Sequence, residues 1–268
     1  MPYTTVDIEV GDGWAVVALN RPERLNAITA EMQKEMEMAL ADLQAQGVRA
    51  LILTGRGRGF CSGADVSGLM AARGETVFSS LAGGPAQRLR RPLGSLAALL
   101  YRFPRPTIAA VNGVAAGAGL SLALACDIRL AAESARFSAI FVRRGVMPDY
   151  GCTWLLPRII GPARAYEMMY TGRMVSAAEA ERWGLVNRVV PDDRLLDEAK
   201  AMAAELAKGA SLAHEALKYA AQRAMEGRPL EENLLYEAYG QETLSQTEDY
   251  QEGMRSFQEK REPLFKGR

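Results

Sequence analysis

The sequence predicts an α/β protein with covered sheets, and three observations predict it. Strand-like and helix-like segments alternate through the N-terminal half of the chain. Two glycine-rich loops each follow a short apolar, strand-like run and precede a helix-like one. Beyond about residue 195 the pattern changes to amphipathic helices with few strand signals. Alternation of this kind buries a sheet between helical layers.

Taken in order, 6–10 and 14–20 read as a hairpin across Gly11-Asp12-Gly13. The run 29–46 reads as a helix, with Met32, Met36, Leu40 and Leu43 on one core-facing stripe. A short apolar strand at 49–54 leads into the glycine-rich loop 55–65, and Pro92 precedes a helix at 93–102. The strand 107–111 is followed by a small-residue turn and a helix through 122–125. Further strands are expected at 128–131 and 136–138, and a helix at 151–160. Helical patterns at 195–208, 212–225, 230–245 and 250–260 close the chain. Four helices without a sheet make a poor core, so they pack on a neighbouring subunit or back on the main domain. The expected division is a core of 1–195 and a helical region of 196–268.

Composition narrows the function classes. Lys and Arg number 32 against 32 Asp and Glu, so bulk charge gives no reason to expect nucleic acid or an anionic membrane as partner. A hydrophobic content of 49% suits a folded globular chain. The cysteines, Cys61, Cys126 and Cys152, are odd in number and widely spaced. That suggests neither a disulfide framework nor a metal site, and reduced thiols in the cytoplasm are the simplest reading. The opening residues lack a basic-then-apolar export pattern. The uncharged run 107–126 is long enough to span a bilayer. Its glycines, alanines and Asn112 make it only mildly apolar, which suits a buried strand, turn and helix better.

Chemistry is expected at the two glycine-rich loops. If their strands are neighbours, the Ala64 and Ala118 N–H groups could converge on one oxygen and stabilise it as an anion. Glycine loops also serve as plain tight turns, and spacing alone leaves both readings open. The single histidine, His214, lies in a helical pattern, which argues against a Ser-His-Asp hydrolase built on Ser121. The loop 113–121 matches neither a Walker nor a dinucleotide-binding pattern. Asp149 sits among apolar and aromatic neighbours that would raise its pKa, as a general base requires. An Asp after Pro148 and ahead of a helix is equally a good N-cap. Asp65 has the same two readings, with the cap favoured.

At these residues the chain resembles the crotonase, or enoyl-CoA hydratase/isomerase, superfamily. The likeness runs through Leu19-Asn20-Arg21-Pro22-Glu23-Arg24-Leu25-Asn26-Ala27, Phe60-Cys61-Ser62-Gly63-Ala64-Asp65-Val66 and the stretch 111–127. It continues through Leu156-Pro157-Arg158-Ile159-Ile160-Gly161, the stretch 177–186 and the tail 252–261. The resemblance implies a crotonase-like spiral of ββα units with a C-terminal helical trimerisation region, in trimers or hexamers. It implies an acyl-CoA thioester whose carbonyl oxygen lies between the Ala64 and Ala118 amides. Arg24, Ala64, Asp65, Val66 and Ser67 would lie along coenzyme A, and Lys260 could reach its phosphates from a neighbouring subunit. Coenzyme A enters as part of the substrate, and neither a separate cofactor nor a metal is expected.

Hydratases of the superfamily carry two glutamates, and by motif register those positions are Ser121 and Phe141 here. Neither can act as a carboxylate. The resemblance therefore points away from two-glutamate hydration and toward branches with an aspartate at Asp149. The leading expectation is an enoyl-CoA isomerase with Asp149 as its single base. Phe141, Tyr150 and Trp154 would line the acyl pocket, Ser121 would also contact the substrate, and 71–92 would shape the pocket. The alternatives are a hydratase-like lyase of atypical mechanism, a thioesterase- or dehalogenase-type hydrolase, and a degenerate acyl-CoA binder.

Overall fold

A computed structural model describes residues 3–65 and 95–268. The chain winds through successive units of two strands and a helix. The first comprises β1 (Val6–Val10), β2 (Trp14–Leu19) and α1 (Ala30–Ala45). β1 and β2 form the expected antiparallel hairpin, with Val6 opposite Leu19. Thr29 starts α1 by accepting the Met32 N–H at 3.1 Å. The predicted stripe of Met32, Met36, Leu40 and Leu43 is buried.

The second unit brings β3 (Ala50–Gly55) and β4 (Gly59–Cys61), and the chain re-enters the described residues at α2 (Ser95–Tyr101). The third has β5 (Thr107–Val111), β6 (Val114–Ala116) and α3 (Ala118–Ala125). The fourth has β7 (Ile128–Ala132), β8 (Arg136–Ser138), a 3-10 turn at Ile140–Arg144 and α4 (Cys152–Ile160). Then follow α5 (Pro162–Thr171), β9 (Val175–Ser176), α6 (Ala177–Arg182) and β10 (Arg188–Val190).

Two sheets result, a six-stranded one ordered β1-β2-β3-β5-β7-β10 and a four-stranded one ordered β4-β6-β8-β9. The second, third and fourth units each give their first strand to the large sheet and their second to the small one. This corrects the reading of 55–65 and 112–117 as plain loop and turn. Each holds a three-residue strand, and these pair in parallel, Gly59 opposite Val114 and Cys61 opposite Ala115. Three residues between glycines are too short to show a strand's period of two.

The uncharged run 107–126 folds as β5, β6 and the buried α3, and no helix among the described residues is long and apolar enough to cross a membrane. Cys61, Cys126 and Cys152 are free and buried, and burial pushes each thiol up to about 12.

Beyond 195, α7 (Leu195–Lys208) lays Leu195, Ala199, Ala203 and Ala207 on β2, β3, β5 and β7. The first helix of the 196–268 region therefore packs on the core's own sheet. α8 (Ser211–Met225), α9 (Leu230–Ser245) and α10 (Glu248–Glu259) follow. α8 is joined to the core by polar contacts. Lys218 meets Asp127 at 2.8 Å, Glu215 pairs with Arg105, and Gln222 donates to the Tyr101 carbonyl.

Candidate active site

The parallel pairing of β4 with β6 delivers the two glycine-rich segments to one place. A Cβ on Gly63 would lie 3.1 Å from the Ala116 carbonyl oxygen and 3.6 Å from the Ala118 nitrogen, and Gly63 itself is at φ 107. On the other side of this segment, Ile28 N–H donates to Gly63 C=O at 2.8 Å and Asp65 N–H donates to Ile28 C=O at 2.9 Å. Because peptide groups alternate along an extended strand, the Ala64 N–H faces away from Ile28. Ala118 is the first residue of α3, so its N–H has no partner within the helix. All eight residues of α3 are buried, which keeps water from screening its positive end. Gly119 lets α3 approach β4 this closely, since a Cβ there would fall 2.1 Å from the Cys61 carbonyl oxygen. Two amides so arranged can receive an oxygen on which charge develops.

The segment 20–28 frames the first loop. Asn26 is fully buried and left-handed at φ 56. Its amide donates to the carbonyls of Arg56 and Gly59, while its oxygen accepts the Arg21 N–H at 2.8 Å. The Arg24 carbonyl accepts from Ser62 Oγ at 3.3 Å, which puts Arg24 beside the 62–65 loop. Asp65 pairs with Arg21 at 2.8 Å. The residues that Asp65 was expected to cap, with Val66, Ser67 and the stretch 71–92, lie outside the described residues.

Asp149 reaches the same neighbourhood through α3. The Ser121 hydroxyl donates to the Asp149 carbonyl at 3.1 Å, and the Cys152 N–H donates to that carbonyl at 3.0 Å. Tyr150 at φ 51 and Gly151 at φ 79 are both left-handed. An aromatic residue at positive φ is strained, and such strain persists only where surrounding contacts hold it. Here Tyr150 is buried and its phenol donates to Gln33 Oε1 on α1 at 3.0 Å.

This turn removes the cap reading of Asp149. Helix α4 begins at Cys152 with Gly151 as N-cap and without a side-chain cap. Two left-handed residues separate the Asp149 side chain from the helix, so its carbonyl, not its carboxylate, serves the first turn. Asp149 Oδ1 is buried without a hydrogen-bond partner among the described residues. Burial pushes this carboxyl up to about 6.

Phe141 is buried in the Ile140–Arg144 turn, with its ring edge 4.0 Å from where a Gly117 Cβ would stand. Tyr150, Gly151, Trp154 and Tyr101 line one cavity of about 480 Å³. Within it Trp154 meets Tyr101 edge-on at 5.5 Å. Lys260 is exposed at the C-cap of α10, outside the elements that form the loop cluster. His214 lines a different cavity, with Leu124 and Cys126 from the far end of α3 and Ile159 from the far end of α4. Burial lowers its pKa.

Two contributors escaped the sequence reading, Gln33 and the structural role of Ser121. Gln33 lies among the apolar positions of α1 but is a polar contact to Tyr150, a partner more than a hundred residues away. No local signal in the sequence marks it.

A family model described as enoyl-CoA hydratase/isomerase matches residues 9–268. A Rhodobacter capsulatus protein named "Probable enoyl-CoA hydratase" is 44% identical, with both chains covered in full. The 1,2-epoxyphenylacetyl-CoA isomerase of Escherichia coli is 39% identical over 97% of each chain. Among solved structures, the enoyl-CoA hydratase of Bacillus anthracis superposes with a TM-score of 0.87 at 32% identity, covering 99% of this chain and 100% of that one. A spiral of ββα units, a family model matched over residues 9–268 and relatives matched end to end lead to one conclusion: the chain belongs to the enoyl-CoA hydratase/isomerase family.

Proposed function

We propose that the protein is an isomerase of enoyl-CoA thioesters, with Asp149 as its single acid–base group. The observation that carries this reading is the Asp149 carboxyl, buried without a partner for Oδ1 among the described residues and pushed up to about 6. A base of that strength is mostly ionised at pH 7 yet still able to return a proton. Ser121 and Phe141 offer no second carboxylate.

The reaction follows from these groups. The Asp149 carboxylate takes a proton from the carbon next to the double bond. The electron pair moves through the thioester onto its carbonyl oxygen, which rests between the Ala64 and Ala118 amides. The electron pair then returns to carbon, and the Asp149 carboxyl gives its proton to a different carbon. The double bond has shifted, and atoms and charge balance. Fixed dipoles that strengthen their hold as the enolate forms accelerate this step. The E. coli relative's name, an epoxide isomerase acting on a phenylacetyl-CoA derivative, supports isomerisation as chemistry this framework accommodates. The name of the R. capsulatus relative supports hydration as the second reading, which would need water activated by Asp149 alone.

Assembly into trimers or hexamers belongs to the same proposal, with Lys260 of one subunit approaching the coenzyme A phosphates of its neighbour. The exposed apolar side chains of α8 to α10 support it.

The test is turnover of 2-enoyl-, 3-enoyl- and dienoyl-CoA thioesters and 1,2-epoxyphenylacetyl-CoA by wild type and Asp149→Asn. Double-bond migration in wild type, reduced about 10²- to 10⁴-fold in the variant, supports the proposal. Hydration of crotonyl-CoA as the main wild-type activity would replace it with the second reading, and full turnover by Asp149→Asn would remove the base.

A further inference from the structure

Ser121 occupies the position at which hydratases of this family would carry a glutamate, and its hydroxyl is neither idle nor solvated. It is fully buried in α3 and donates to the Asp149 carbonyl at 3.1 Å. Ala118, the amide donor proposed for the substrate oxygen, lies one turn earlier on the same helix. Three residues of α-helix rise about 4.5 Å, and α3 is buried on every side. A single rigid element thus carries the oxygen-binding amide at its start and grips the backbone of the base one turn later.

We infer that Ser121 is a positioning residue that sets the spacing between the proposed oxyanion donor and the proposed base. The inference rests on Asp149 being the base. The physical need is clear. Proton transfer between carbons of one bound enolate requires the carboxyl to stay within hydrogen-bond reach of two carbons while the oxygen stays fixed, and displacements near 1 Å can cost on the order of 10²-fold in rate. The Asp149–Gly151 turn would not hold that geometry by itself, because Tyr150 and Gly151 are both left-handed. It is pinned from two sides. Ser121 and the Cys152 N–H hold the Asp149 carbonyl, and Gln33 holds the Tyr150 phenol. Gln33 is itself fixed, its amide donating to Ser95 Oγ at 3.1 Å on α2. Of these contacts, only that of Ser121 joins the base directly to the helix of the amide donor.

The experiment is a donor series at one position. Ser121→Ala removes one buried oxygen and leaves the Asp149 carbonyl its bond from Cys152, so the fold is retained; Ser121→Cys keeps a weak donor. With a 3-enoyl-CoA thioester, kcat is expected to fall in the order Ser, Cys, Ala, reaching about 10- to 100-fold below wild type for Ala. KM, and the Kd of a saturated acyl-CoA by calorimetry, should stay within about twofold. A Ser121→Ala enzyme with wild-type kcat overturns the inference. So does a loss seen wholly in KM and Kd, which would make the hydroxyl a substrate contact. Asp149→Asn measured alongside separates the two layers. If it retains turnover, the base reading fails. If it is inactive while Ser121→Ala keeps the wild-type kcat, positioning alone fails.

Discussion

The loop cluster and the last three helices bury opposite kinds of residue. Around β4, β6 and α3 the interior is mostly apolar, with Ser121 the buried polar residue of α3, and α3 is hidden along its whole length. In α8 to α10 the buried residues are Ser211, Gln222, Asn233, Asp249 and Ser256, all polar. Their large apolar side chains face outward instead, with Phe257 82% exposed, Leu235 73% and Leu230 68%. Among the described residues the cluster is assembled from β4, β6 and α3 of one chain. The helices turn polar groups inward, Gln222 to the Tyr101 carbonyl among them, and leave large apolar side chains exposed. Exposed apolar side chains of this size support the proposed assembly. On the proposed reading, chemistry belongs to one region and assembly to the other.

The largest effect should come from breaking the second region. Leu235→Glu with Phe257→Glu is expected to convert the assembly to monomers in sedimentation velocity while the far-ultraviolet circular dichroism stays unchanged. In a chain that works as a monomer, exposed substitutions of this kind would cost within about 0.5 kcal/mol and leave the mass as it was. The first region should answer to a single methyl group. Gly119→Ala drives a Cβ to 2.1 Å from the Cys61 carbonyl oxygen. Denaturant unfolding should show a loss of about 1–3 kcal/mol, with turnover falling as α3 is pushed from β4. Wild-type stability in Gly119→Ala would mean that the close contact does not govern the cluster.

The smallest effect concerns stability and has the opposite sign. The Asp149 carboxyl is raised from 3.8 to about 6, so the folded chain prefers it protonated. Its cost to stability is absent below pH 3.8, grows as pH rises toward 6 and is complete above. The rise corresponds to about 3 kcal/mol, which solvent at a partly exposed carboxyl reduces to about 1–2 kcal/mol. Asp149→Asn should therefore be about 1–2 kcal/mol more stable than wild type at pH 7.5, with the gain disappearing near pH 3.5. A variant less stable at pH 7.5 would place Asp149 among the structural groups of the fold.

The contrast between the regions also explains what could be read from sequence. The long helices 195–208 and 230–245 match the observed bounds because amphipathic periodicity is local. β3, β5 and β7 were legible as short apolar runs between turns. β4 and β6 were not, because three residues between glycines carry no period, and it is their pairing that brings Gly63 against Ala118. The glycine loops could be named as candidate amide donors, but their convergence is a tertiary fact. Asp149 was readable as base or cap. Local sequence could not decide, since the left-handed Tyr150 that separates it from α4 is held by Gln33, far away in the chain. Ser121 was legible as a missing acid and a candidate substrate contact, whereas its bond to the Asp149 carbonyl depends on how α3 and α4 pack.

In the proposed reaction one carboxyl, Asp149, moves the proton while backbone amides hold the oxygen. The most direct measurement is the pH dependence of kcat/KM for double-bond migration in wild type and Asp149→Asn side by side. A protonated base cannot accept, so wild type should lose tenfold per pH unit below about 6. The variant should run about 10²- to 10⁴-fold slower without that limb. A wild-type rate that stays flat from pH 5 to 8, or a variant that retains the limb, would contradict the account.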